Sequence, residues 1–146
     1  METTQLADGF VVRIAGVDLS QPLDDDVFGE IKSQWMRRRV AVFPDQTLDD
    51  DALVGFAERF GPIFIHAQSS LLASRRKEVM ERSNLEDAER PTTHDLGWHS
   101  DQTYTPRPVF GTILYGLVAP KKGGETLFAD LTGAYASMPQ DLRSRI

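Results

Sequence analysis

Apolar positions change period along this chain, and the changes mark its elements. Phe10 to Val17, FVVRIAGV, is dense in β-branched residues and is followed by Asp and Ser, which predicts a strand closed by a turn. In DDDVFGEIKSQWMRRR the apolar residues Val27, Phe28, Ile31 and Trp35 fall at helical spacing. Acids lead and bases follow, as the helix dipole favours, so a helix is predicted there. VAVFPDQ then predicts a short buried strand stopped by Pro44. TLDDDALVGFAERFG predicts a second helix that sets Leu53, Phe56, Ala57 and Phe60 on one face and ends at Gly61.

Beyond Gly61 the reading turns to strands: PIFIHA, EVMERS, WHSDQTY, VFGTILYGLVA and ETLFAD, separated by Gly, Pro or charged breaks. NLEDAERPTTHD predicts a long mobile loop leading into the histidine strand, and PKKGGE carries hairpin-turn chemistry. LTGAYASMPQDLRSRI begins as a helix. The expected architecture is mainly β with flanking helices, in one domain and without internal repeats.

Composition narrows the function classes. The 146 residues are 40% hydrophobic and 26% charged, an ordinary globular mix. A net charge of −6 disfavours a nucleic-acid binder, which needs a basic face. The basic cluster MRRRV ends a predicted helix, where cations complement the dipole. METTQLADGF lacks a basic start followed by an apolar run, and the stretch around TILYGLVA is too short to span a bilayer. A cytoplasmic protein without membrane partners is expected. With no cysteine, thiolate sites and disulfides are excluded, and histidine and carboxylate remain as strong metal ligands.

Two of the three histidines, His94 and His99, lie close together among carboxylates in PTTHDLGWHSD. On a strand, positions i and i+2 share a face, so His99 and Asp101 can converge on one ion while Ser100 points away. A nitrogen and a carboxylate oxygen suit ferrous iron and make two thirds of the facial triad of non-haem oxygenases. Spacing alone fits an ordinary hydrogen-bonded pair better. By the same standard Trp98 and Tyr104 read as core aromatics.

The longer run WHSDQTYTPRPVFGTILYGLVAPKKGGETLFADLTGAYASMP changes that balance, as do GVDLSQPLDDD, VAVFPDQ and FAERFGPI before it. Together they closely resemble the TauD/TfdA family of Fe(II)- and 2-oxoglutarate-dependent dioxygenases. The resemblance implies a double-stranded β-helix, the cupin-like jelly roll, incomplete in this chain, with His99 and Asp101 as iron ligands. Thr126, in GGETLF, matches the threonine that hydrogen-bonds a carboxylate of 2-oxoglutarate. His66 aligns with a substrate-binding histidine of taurine-type members, or is a satisfied strand histidine. Asp95 stands where those members carry an amide, and a carboxylate there would repel an anion. Gln102 and Tyr104 are further pocket candidates.

The implied cofactors are Fe(II), 2-oxoglutarate as cosubstrate, and O2. The implied activity is hydroxylation of a small, anionic organic substrate with release of succinate and CO2. Family members are roughly twice this long and place a third ligand, a histidine, and the 2-oxoglutarate arginine in their later half. Residues 1–146 are therefore expected to be the N-terminal portion of one such domain, inactive alone and with strand edges that leave a homo-oligomer open. The alternatives are a noncatalytic jelly-roll fragment and a different cupin-like metal enzyme using the same His99 and Asp101.

Overall fold

A computed structural model describes residues 1–6, 9–65, 75–81 and 97–146. The chain divides into two compact units. The first comprises Met1–Val17, Leu23–Asp45 and Gly116–Ile146; the second comprises Asp18–Pro22 and Gln46–Tyr115.

The first unit holds a three-stranded sheet in the order β1-β2-β3, with β1 at Glu2–Leu6, β2 at Val11–Ala15 and β3 at Val40–Val42. β2 pairs antiparallel with β1, matching Glu2 to Ala15 and Leu6 to Val11, and parallel with β3, matching Val11 to Val40. Helix α1, Asp25–Arg38, bridges the parallel pair in sequence and packs on both β2 and β3. The strand expected from FVVRIAGV forms as β2, and its burial alternates: Val12 and Ile14 are buried, and between them Arg13 is only part-buried. Facing them, α1 buries Phe28 and Ile31. Ile14 and Ile31 are both 0% exposed and form the centre of this small core.

The end of α1 explains its basic cluster. Asp25 and Asp26 occupy the first turn and Arg37 and Arg38 the last, complementing the dipole at each end. Arg38 Nη1 also donates to the Gly9 carbonyl at 2.9 Å, which ties the helix end to the start of β2. Arg39 turns left-handed at φ 75° and donates its N–H to the Trp35 carbonyl at 2.6 Å, so the chain leaves the helix directly into β3. Two short helices complete this unit: α3 at Leu131–Ser137 and α4 at Gln140–Arg143. Asp130 caps α3 through the Thr132 N–H, and Thr132 Oγ1 accepts from Arg39 Nε at 3.1 Å.

In the second unit, α2 spans Asp50–Glu58 and starts at an Asp49 cap whose side chain accepts from the Ala52 N–H at 2.8 Å. Its buried residues are Val54 and Phe56; Leu53, Ala57 and Phe60 are half-buried. Phe56 meets Phe60 edge to face at 5.3 Å. The expected face therefore rotates toward Val54. At the other end of α2, Asp50 accepts from the Arg75 N–H at 3.0 Å and Asp51 pairs with Arg76 at 2.5 Å, so residues 75–78 are pinned to the helix start.

The later strands differ from expectation. Residues 62–65, 97–104, 109–119 and 125–130 form no strand ladder, and Met80 makes a single bridge. The jelly roll is accordingly not formed by the described residues. The cause is the pairing requirement: an extended segment becomes a strand only when another backbone supplies ladder hydrogen bonds, and among the described residues none does. The PKKGGE turn keeps its expected chemistry, with Gly123 and Gly124 at φ 77° and 75°. The predicted NLEDAERPTTHD loop lies outside the described residues. β1, in turn, escaped the sequence reading because ETTQL is exposed at every position and shows no alternation. No helix among the described residues is long and apolar enough to cross a membrane.

Replacing Ile31 by Ala should lower unfolding free energy by about 2–5 kcal/mol through the cavity it leaves. Met36→Ala, at a position 47% exposed, should change it by less than about 0.5 kcal/mol in the same urea titration.

Candidate metal centre

His99 and Asp101 sit in the second unit on a segment that turns immediately after them. The Thr105 N–H donates to the Gln102 carbonyl at 3.0 Å, and the Thr105 hydroxyl donates to that same carbonyl at 2.8 Å. Gln102 adopts φ 55°, in the left-handed region that ends extended backbone. Where the sequence reading expects a histidine strand, the chain is thus irregular up to Ser100 and turns from Asp101. The convergence expected from it survives: His99 Nε2 lies 3.2 Å from Asp101 Oδ1.

The outer atoms of the pair are held as well. His99 Nδ1 lies 2.9 Å from the Gly97 carbonyl oxygen, and because a carbonyl only accepts, Nδ1 must carry the proton. In the neutral ring Nε2 then presents its lone pair to a carboxylate oxygen. Two lone pairs at that distance repel unless a proton or a metal cation stands between them. On the far side, Asp101 Oδ2 accepts from the Thr112 hydroxyl at 2.6 Å, within the range of a charge-assisted bond.

Such an arrangement fits a divalent metal. Donors about 2.1 Å from an octahedral ion and at right angles to one another lie about 3.0 Å apart, close to the separation observed. A ligating histidine that donates its other ring nitrogen to a backbone carbonyl, and a ligating carboxylate that is itself hydrogen-bonded, are regular features of metal sites. Among the described residues no third histidine or carboxylate joins them. The side chains of His99 and Asp101 are 51% and 43% exposed, so the pair is open to water.

The other expected site residues divide three ways. His66, His94 and Asp95 lie outside the described residues. Gln102 and Tyr104 share the second unit with the pair; the Gln102 Oε1 atom is buried without a hydrogen-bond partner among the described residues, and Tyr104 is 77% exposed. Tyr104 and Trp98, expected in the core, are both exposed. The missing ladder again accounts for it, since among the described residues no second sheet layer covers them. Thr126 belongs to the first unit, exposed and without a hydrogen-bond partner among the described residues. A cleft of about 260 Å³ in that unit, lined by Arg37, Arg39, Asp130 and Thr132 among others, includes none of the expected site residues. Thr112 was not foreseen: nothing in VFGTILYG marks it, and it lies 11 residues from Asp101.

Comparison with known proteins bears on what this pair belongs to. Residues 2–146 match the family described as taurine catabolism dioxygenase TauD, TfdA family. The chain belongs to the TauD/TfdA family. Enzymes of this family use Fe(II), 2-oxoglutarate and O2. The chain is 32% identical over 137 residues to the (S)-phenoxypropionate/alpha-ketoglutarate-dioxygenase of Sphingobium herbicidovorans, covering 94% of this chain and 47% of that enzyme. It is 29% identical over 150 residues to the alpha-ketoglutarate-dependent 2,4-dichlorophenoxyacetate dioxygenase of Cupriavidus pinatubonensis, covering 94% and 52%. Among solved structures it is similar to a Burkholderia xenovorans protein named as an alpha-ketoglutarate-dependent taurine dioxygenase, with TM-score 0.85, 32% identity and coverage of 99% and 52%. It is also similar to AAD-2 in complex with Mn(II) and N-oxalylglycine, with TM-score 0.68, 25% identity and coverage of 99% and 48%. The chain spans about half the length of the curated relatives it matches.

The tautomer of His99 in this TauD/TfdA-family chain is directly measurable. Adding Zn(II) should move the His99 15Nε2 resonance while 15Nδ1 keeps its proton, with His99→Gln supplying the assignment; a metal-shifted Nδ1 would contradict the geometry.

Proposed function

We propose that residues 1–146 are the N-terminal part of a jelly-roll domain that hydroxylates a small anionic organic substrate, using Fe(II), 2-oxoglutarate and O2. The observation that carries this reading is the His99 Nε2 to Asp101 Oδ1 pair, 3.2 Å apart, inside a family match that covers nearly the whole chain. In it His99 and Asp101 hold the metal, and the third ligand and the 2-oxoglutarate arginine are assigned outside residues 1–146. The coverage of relatives supports that assignment, since this chain matches about half of each. The extended runs 109–119 and 125–130 are assigned as jelly-roll strands whose ladder partners belong to the same missing portion.

When bound, ferrous iron with 2-oxoglutarate supplies oxidative decarboxylation coupled to substrate hydroxylation. Residues of this chain prepare the place for it. His99 offers a neutral nitrogen whose ring orientation the Gly97 carbonyl sets. Asp101 contributes one negative charge against the two of the ion, so a net positive charge remains to attract an anionic cosubstrate. Thr126 would donate its hydroxyl to a 2-oxoglutarate carboxylate. His66, Asp95, Gln102 and Tyr104 are assigned to the substrate side. Asp95, an acid where taurine-type members carry an amide, works against a sulfonate there; the phenoxypropionate and dichlorophenoxyacetate enzymes among the relatives keep a carboxylate-bearing substrate in view.

Exposure of the pair favours a second reading for residues 1–146 alone, a fragment that binds metal weakly and does not turn over. Anaerobic addition of Fe(II) and 2-oxoglutarate, read for the charge-transfer band, followed by admission of O2, read for succinate, separates the cases. The 146-residue chain is expected to release no succinate and to show no visible charge-transfer band. A chain carrying a downstream histidine and arginine is expected to show both. Succinate formed by the 146 residues alone would overturn the placement of the third ligand. In the longer chain, Thr126→Ala should weaken 2-oxoglutarate binding about tenfold with Fe(II) affinity unchanged, as read by calorimetry; unchanged 2-oxoglutarate affinity would remove Thr126 from this role.

A further inference from the structure

Asp101 has two carboxylate oxygens, and the structure distinguishes them. Oδ1 faces His99 Nε2 at 3.2 Å, while Oδ2 is occupied by the Thr112 hydroxyl at 2.6 Å. We propose that Thr112 is a positioning residue, whose hydroxyl bond to Oδ2 makes Asp101 a one-oxygen ligand with Oδ1 turned to the metal. The proposal rests on the iron reading of His99 and Asp101 and adds a residue to it.

The reason lies in how many coordination positions the chemistry needs. A six-coordinate ion held by two histidines and one carboxylate oxygen keeps three positions. Bound 2-oxoglutarate and O2 would need all three. A carboxylate bound through both oxygens would remove one. Free rotation about the Cβ–Cγ bond of an exposed aspartate allows that mode. A hydrogen bond to Oδ2 opposes it, because this oxygen would have to give up a charge-assisted partner to reach the ion.

Thr112 can act this way because its own segment is anchored. Three residues on, the half-buried Tyr115 donates its hydroxyl to the Gln46 carbonyl at 3.2 Å and accepts from the Leu48 N–H at 3.1 Å. Gln46 in turn accepts from the Leu19 N–H through Oε1 at 2.9 Å. The turn before α2 therefore grips one end of residues 112–115, and Asp101 is held at the other.

Mn(II) titration of the 146-residue chain, following loss of the free-ion signal by electron paramagnetic resonance, tests the idea. Asp101→Asn should weaken binding strongly. Thr112→Val should weaken it about tenfold, with unchanged far-UV circular dichroism, and Thr112→Ser should restore it to within about twofold. If Asp101→Asn weakens binding and Thr112→Val does not, the positioning role is wrong and the metal reading stands. If neither variant weakens binding, the metal reading fails and takes the positioning role with it. A second measurement needs no change at Thr112 and covers the case of a misfolded variant. In the infrared difference between wild type and Asp101→Asn on Zn(II) addition, the gap between antisymmetric and symmetric carboxylate stretches should widen relative to the free carboxylate. A narrowed gap means two-oxygen binding and overturns the proposal.

Discussion

The backbone hydrogen-bond requirement decides what is ordered in this chain and what is only extended. Among the described residues β2 is the strand with both edges occupied, by β1 antiparallel and by β3 parallel, and α1 closes over it. Its buried side chains, Val12 and Ile14, have Phe28 and Ile31 to pack on, so burial and ladder bonding reinforce each other. Nothing comparable happens after Gly61 among the described residues. Segments of equal or greater apolar content run without a ladder, and Leu114, Leu117, Val118 and Leu127 stay at least 71% exposed. Apolar content alone did not make them strands.

That contrast sets what was legible in the sequence. Both long helices, their acidic starts and the strand pair around α1 could be read, because each rests on local periodicity and on partners close in sequence, although β3, expected to be buried, is half-buried at Val40 and Ala41 and exposed at Val42. β1 was hidden, since an edge strand of exposed residues carries no alternation to detect. The later strands were read as β from composition, which reports propensity and says nothing of pairing partners. Trp98 and Tyr104 failed for the same reason: an aromatic residue is buried only if another layer covers it.

The approach of His99 and Asp101 was legible in a different sense. The His99 and Asp101 spacing named two candidates, but the i and i+2 argument assumed a regular strand, and the observed backbone turns left-handed at Gln102 directly afterwards. The two side chains still approach to 3.2 Å without that strand. Thr112 was invisible because a hydroxyl on an apolar run has no pattern of its own. Its role depends on a bond between residues 11 apart, which only the folded backbone reveals.

On the iron reading proposed above, openness of the His99 and Asp101 pair has a consequence for metal identity. One nitrogen and one oxygen donor, with water free to take the remaining positions, follow the general affinity order of divalent ions, in which copper and zinc outrank iron. A pair without walls has no means of rejecting them by shape. Which ion such a half-site carries is then set by the free-metal pool around it, and purification in contact with nickel or zinc would leave its mark on the sample before any iron was added.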